Sequence, residues 1–251
     1  MTLLSNHTPR PAQGRFGPFG ADPSVRSHGL KPDFARPQLE RLAHASLRSA
    51  DAVLALIDGW RSDGHDLEDI YIRGIAPCAR LLGEWWTSDT ADFAQVTIAS
   101  AHLQRALHRL SQEFCAPGAE HPTGLNLLLA TEPQSQHTMG AFMLGEFFRR
   151  RGWKVQLLAP QDGEEVLGHL RRDWFDAVAL SISTERHLHR LRDLLRRLRS
   201  DAPNPAMSVL VGGGWVLSHP EAFEALGVDL VGGDARQTVQ AFSLMAIARR
   251  N

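Results

Sequence analysis

The sequence predicts an α + α/β architecture: a four-helix bundle followed by a doubly wound, five-stranded parallel sheet. Three observations carry this. Residues 34–115 repeat apolar side chains at helical spacing, residues 124–251 alternate short apolar runs with helical stretches, and a Pro- and Gly-containing segment, 116–123, lies between the two periods.

The opening stretch, residues 1–33, is rich in Gly, Pro and Ser and has no hydrophobic period, so it is predicted to be disordered. From Phe34, leucines at 39, 42 and 47 and then Leu54, Leu56 and Ile57 line helix faces. Four helices are predicted, over Arg36–Ser49, Ala50–Arg61, Asp66–Trp86 and Asp92–Phe114. The breaks "RSDGHD" and "TSDTAD" supply capping and turn residues, and such short connections imply an antiparallel bundle. After the linker come "LNLLLAT", "KVQLLA", "DAVALSI", "MSVLVGG" and "VDLVGG", each followed by a helical pattern. Short apolar runs of this kind read as buried parallel strands. Sheets built this way bind ligands at the carboxyl ends of their strands, so the loops after those strands decide function.

Composition narrows the classes. A chain of 251 residues that is 43% hydrophobic can bury a substantial core, and a net charge of -1 gives no polyanion-seeking surface. The sequence shows no helix-turn-helix or basic region, so no direct nucleic-acid contact is expected. The two cysteines, Cys78 and Cys115, fall in helical surroundings and suggest neither a disulfide framework nor a cysteine-ligated metal. Neither a signal core nor a membrane-spanning apolar run is seen, so a cytoplasmic location away from the membrane is expected.

The first strand leads into "EPQSQHTMG". Here Ser135, Gln136, His137, Thr138, Met139 and Gly140 occupy the strand–helix junction where ligands bind. His137 can offer an imidazole nitrogen to a metal, a residue two positions earlier can orient the ring, and Gly140 lets a bulky planar ligand approach the backbone. The third strand ends with Ser181 and Ser183, the fourth with Gly212, Gly213 and Gly214, and the fifth with Gly232 and Gly233. Taken singly, these serines and glycines read equally well as ordinary strand ends and turns. A dinucleotide site is disfavoured, because its glycine-rich turn belongs after the first strand.

In this order the loops resemble the cobalamin-binding fold of methionine synthase, methylmalonyl-CoA mutase and the light-sensing CarH repressors, whose signature is Asp-x-His-x-x-Gly, then Ser-x-Leu or Ser-x-Thr, then Gly-Gly. The resemblance implies a Rossmann-like cobalamin domain with His137 as the lower cobalt ligand, displacing the cofactor's dimethylbenzimidazole, and with the freed nucleotide tail in a slot lined by Ser181, Ser183 and the glycines. Ser135 stands where the family has a carboxylate, which implies altered electronics at the histidine.

In the bundle, the adjacent Trp85 and Trp86 cannot both face one core, so at least one should point outward. Trp86 aligns with the tryptophan that caps the corrin in CarH, while Val96 and Thr97 stand where CarH has Glu-His. The segment "DFAQVTIASAHLQRALHRL", with Phe93, Val96, Thr97, Leu103 and Gln104, is similar instead to the AerR/PpaA antirepressors and the related AppA module. That resemblance implies a cobalamin-binding, non-enzymatic antirepressor, responsive to light and acting through a CrtJ/PpsR-type DNA-binding transcription factor. The smaller Val96 and Thr97 imply room for the hydroxo or aquo form of the cofactor. A corrinoid carrier for methyl transfer is the alternative with the same architecture. Haem, ligated by His137 with a residue such as His102, is the less favoured alternative cofactor.

Overall fold

The computed structural model describes residues 33–184, 188–224 and 226–250. The disordered tail expected over 1–33 lies, except for Asp33, outside the described residues.

The bundle forms as predicted, with instructive differences. Helix α1 (Arg36–Arg48) begins at a capping box in which Gln38 accepts from the Ala35 N–H. Helix α2 (Ala50–Ser62) is capped by Ser49, whose hydroxyl accepts from the Ala52 N–H. The third predicted helix is not uniform: a short α3 (Leu67–Asp69) opens into a π-helical segment, Ile70–Ile75, before α4 (Ala76–Thr87). Pro77 follows directly, and a proline both lacks an N–H and crowds the carbonyl four residues back. Widening the preceding turn relieves that crowding without ending the helix.

Helix α5 starts at the expected place, with Asp92 and Gln95 forming a reciprocal cap. It does not stop at Phe114. It spans Phe93–Glu120, with Pro117 inside it, so most of the predicted linker 116–123 is helix. The reason is tertiary. A Cβ on Gly118 would collide with the Arg149 carbonyl, so that glycine permits close helix packing and does not break the chain.

The five strands follow as read: β1 (Asn126–Thr131), β2 (Lys154–Leu158), β3 (Ala177–Ser181), β4 (Ser208–Gly212) and β5 (Leu230–Val231). They form one all-parallel sheet in the order β2-β1-β3-β4-β5, so the strand order reverses between β1 and β3. Crossovers run through α6 (Met139–Arg150), α7 (Gly163–Arg172), α8 (Leu188–Asp201) and the short α9 (Gly214–Ser218) and α10 (Glu221–Glu224), and α11 (Ala235–Arg250) ends the chain. One sheet face, with Leu127, Leu129, Ala177, Ala179 and Leu210, shares a continuous core with α6, α11 and the whole bundle. The opposite face, with Leu128, Val178, Val209 and Val211, packs on α7 and α8. Bundle and α/β layer are therefore joined through a common core, with only the short connection 121–125 between α5 and β1.

Candidate corrinoid-binding site

Sheet register assembles the site. Thr131 pairs with Ser181 across β1 and β3, and Ser181 pairs with Gly212 across β3 and β4. Side chains alternate along a strand, so these three positions share the face that Leu129, Ala179 and Leu210 present to the bundle-side core. The result is a row of two hydroxyls and a bare backbone at the carboxyl edge, beside the point where strand order reverses. The Thr131 hydroxyl is buried and has no hydrogen-bond partner among the described residues. An unpaired buried hydroxyl is costly, which makes this row suited to a polar ligand group.

The loop after β1 is built on local hydrogen bonds. Gln134 takes a positive φ of 61°, and its N–H donates to the Pro160 carbonyl after β2. The Ser135 hydroxyl oxygen accepts from the His137 backbone N–H at 3.1 Å. Ser135 thus orients the histidine's backbone, and the ring-orienting contact expected from that position is not made. The His137 residue is exposed, and its imidazole forms no hydrogen bond among the described residues. Gln136 is exposed, Thr138 is half-buried, and Met139 packs against the bundle-side core. Nothing lies within 4 Å of a Cβ built on Gly140 or Gly214, so both face open space.

Gly213 has a different role. Its φ is +114°, and a Cβ there would collide with the Ile182 backbone, so the β4 loop lies directly on the β3 loop. Ser183 is half-buried, and its N–H donates to Glu132. Gly232 belongs to the packing: a Cβ would approach Thr238 Cγ2 to 2.8 Å. Gly233 is exposed and donates its N–H to the Thr238 hydroxyl. The structure thus gathers Ser181, Ser183, Gly212 and Gly213 at one edge with the His137 loop, and sets Gly232 behind them.

Glu132 is a site residue that motif reading passed over. It is 6% exposed, and its carboxylate accepts from the N–H groups of Ser183 and Thr184 and from the hydroxyls of Thr184 and Ser135. Its signal in the sequence was a charged residue directly after the apolar run of β1.

The bundle overhangs this edge. Helices α5 and α6 run side by side in the same direction. Gln104 Nε2 donates to the Thr138 hydroxyl, the rings of His108 and Phe142 lie 4.3 Å apart, and Gly118 meets Arg149. The eleven residues of α5 before Gln104 therefore extend about 16 Å beyond the start of α6, at a rise of 1.5 Å per residue. That projection carries Phe93 and Thr97, which are exposed, and Val96, which is half-buried. The Thr97 hydroxyl donates to the Phe93 carbonyl. As their adjacency requires, the two tryptophans part: Trp85 is 8% exposed and packs on His44, while Trp86 is 53% exposed and meets Phe93 edge-on at 6.2 Å. His102 is taken up in the bundle, its Nδ1 lying 2.7 Å from the Ser46 carbonyl.

No group of three or more His, Cys, Asp or Glu side chains among the described residues is placed to hold a metal ion. One exposed imidazole is sufficient for a metal that arrives in a macrocycle, which brings its own equatorial nitrogens. The two thiols do not offer themselves as alternatives, since burial pushes both Cys78 and Cys115 up to about 12. A buried hydroxyl and an exposed imidazole, both without a hydrogen-bond partner among the described residues, together with open glycine faces at the same sheet edge, fit a corrinoid.

Comparisons with known proteins agree. Residues 118–243 match the B12 binding domain family. The chain is 31% identical over 190 residues to a 20.5 kDa protein in the bchF-crtJ intergenic region of Rhodobacter capsulatus, an alignment covering 76% of this chain and 98% of that one. It is 32% identical over 164 residues to the HTH-type transcriptional repressor CarH of Myxococcus xanthus, covering 64% of this chain and 52% of CarH, so it spans about half of that relative's length. The monomethylamine corrinoid protein of Methanosarcina barkeri shares the fold, with a TM-score of 0.68 at 14% identity over 82% of this chain and 95% of that one. With the matched region occupying half of the chain and the loop pattern assembled at one sheet edge, this protein belongs to the B12-binding domain family and is homologous to transcriptional regulators of the CarH type.

Proposed function

We propose that the chain is a non-enzymatic, light-responsive regulator that binds cobalamin with His137 as the lower cobalt ligand and acts through a protein partner of the CrtJ/PpsR type. The observation that carries this reading is the in-register row Thr131, Ser181 and Gly212 beside an unengaged His137. The row would receive the nucleotide tail, Gly140 and Gly214 leave backbone open to the corrin, and Trp86 with Phe93 overhangs the upper face. When bound, the cofactor supplies a cobalt–ligand bond whose photolysis or exchange is the signal. The Rhodobacter relative's place beside crtJ supports the choice of partner class. Among the described residues no helix is long and apolar enough to cross a membrane.

The smaller Val96 and Thr97 leave the upper face roomy, so the hydroxo or aquo form should bind at least as well as the adenosyl form. Absorption spectra of the protein loaded with each form, dark and illuminated, test this. Corrin bands are expected, and a Soret band would instead mark a haem protein. Exclusive tight binding of the adenosyl form would sink the roomy-pocket reading. His137→Ala should weaken binding at least about tenfold and shift the visible bands. Unchanged colour and affinity in that variant would remove His137 from the cobalt.

A further inference from the structure

The carboxylate that the sequence lacks two residues before His137 is supplied, in another geometry, three residues further upstream. Glu132 directly follows β1 with its side chain buried, and four donors converge on it. Ser183 N–H lies 3.2 Å from Oε1, and Thr184 N–H and hydroxyl lie 3.4 and 3.3 Å from Oε2. The Ser135 hydroxyl lies 3.5 Å from Oε1, and the same oxygen of Ser135 accepts from the His137 N–H. The backbone doubles the link, because the Glu132 N–H donates to the Ser181 carbonyl. One charged group therefore holds the His137 loop through Ser135 and the serine loop of the tail slot through Ser183 and Thr184. Hydrogen bonds to a carboxylate are about twice as strong as neutral ones, and a buried carboxylate stripped of donors is costly. The two loops are thus joined through one carboxylate as well as through the backbone.

We propose that Glu132 is a positioning residue that couples ligation by His137 to seating of the nucleotide tail, so that an occupied tail slot fixes the histidine loop. This rests on the corrinoid reading above. A corrinoid lacking the nucleotide tail, such as aquocobinamide, isolates the effect, because it can meet His137 but leaves the slot empty. Glu132→Gln keeps the shape of the side chain but replaces one acceptor oxygen with an NH2 group that faces donors.

The test compares hydroxocobalamin and aquocobinamide binding to the full chain by titration, reading both affinity and the visible bands of histidine ligation. Wild type should prefer cobalamin, and Glu132→Gln should lose about tenfold of that preference, with a lower histidine-ligated fraction for cobalamin and little change for cobinamide. Thr184→Val, which removes only the hydroxyl contact, should move the preference the same way by a smaller factor and guards against a folding defect in the first variant. A preference unchanged in both variants, or equal losses for the two corrinoids, overturns the coupling and leaves Glu132 a structural residue. A wild-type chain that binds neither corrinoid overturns the cofactor reading, and the coupling with it.

Discussion

Gly213 and Gly140 are glycines for opposite physical reasons. Gly213 is required by its own backbone, with a positive φ and the Ile182 backbone where a Cβ would stand. Gly140 lies in α6 at an ordinary helical φ, with nothing near its missing Cβ. Alanine at position 140 should therefore stabilise the free protein slightly, by about 0.5 kcal/mol, through reduced freedom of the unfolded chain. If the open face above it receives the corrin, the added methyl should cost about tenfold in corrinoid affinity. Thermal melting and a binding titration on Gly140→Ala check both halves, and undiminished affinity would show that the ligand does not approach this helix start. At this scale the sequence exposed His137, Ser181 and the glycines, because each carries its chemistry in its residue type. It hid Glu132 and Thr131, whose roles depend on neighbours brought by other strands.

Asp229 shows how elements are tied at the opposite edge of the sheet. Its carboxylate accepts from Arg199 of α8, Arg249 of α11 and the Val209 N–H at the start of β4. Burial alone would raise its pKa, but these hydrogen bonds outweigh burial and hold it below the usual carboxylate range. A carboxyl with a depressed folded-state pKa adds stability that is present above its unfolded value and is lost as pH falls through the folded value. Stability should accordingly decline on acidification below the ordinary aspartate range, and Asp229→Asn should be less stable than wild type by about 1–3 kcal/mol near neutrality, with a shallower acid decline. Denaturant titrations across pH measure this, and parallel curves for the two proteins would refute it. Helix α5 gives the lesson in legibility at the same scale. Its start was readable from Asp92 and Gln95, whereas its continuation through Pro117 and Gly118 depended on the Arg149 backbone lying alongside.

For the whole molecule, the joint between bundle and α/β layer governs behaviour. Besides the shared core, Glu68 accepts from Arg150 and Arg236, both at 2.7 Å, and Asp69 pairs with Arg73 and Arg236, both at 3.0 Å. Arg236 of α11 thus grips both carboxylates at the α3 turn, just before the π segment. Arg236→Ala should lower stability by about 1–2 kcal/mol, since the pairs are only partly shielded from water. Residues 33–250 should still unfold in one transition, because a continuous core makes the two layers interdependent. Calorimetry checks this, and two separated transitions would show that bundle and sheet are independent folding units.

Apolar patterning by itself determined the strand count, the sheet's parallel character and most of the helices, because helical repeats and short apolar runs buried on both faces are local properties of the chain. The loop signature placed the candidate residues at one sheet edge, since parallel strands send their carboxyl ends to one side. Only the tertiary structure decided that Thr131, Ser181 and Gly212 stand in register, that Glu132 joins two loops, and that α5 runs on through most of the expected linker and projects past the start of α6. Those facts depend on contacts between residues distant in sequence, and the geometry of such contacts is written in no single segment.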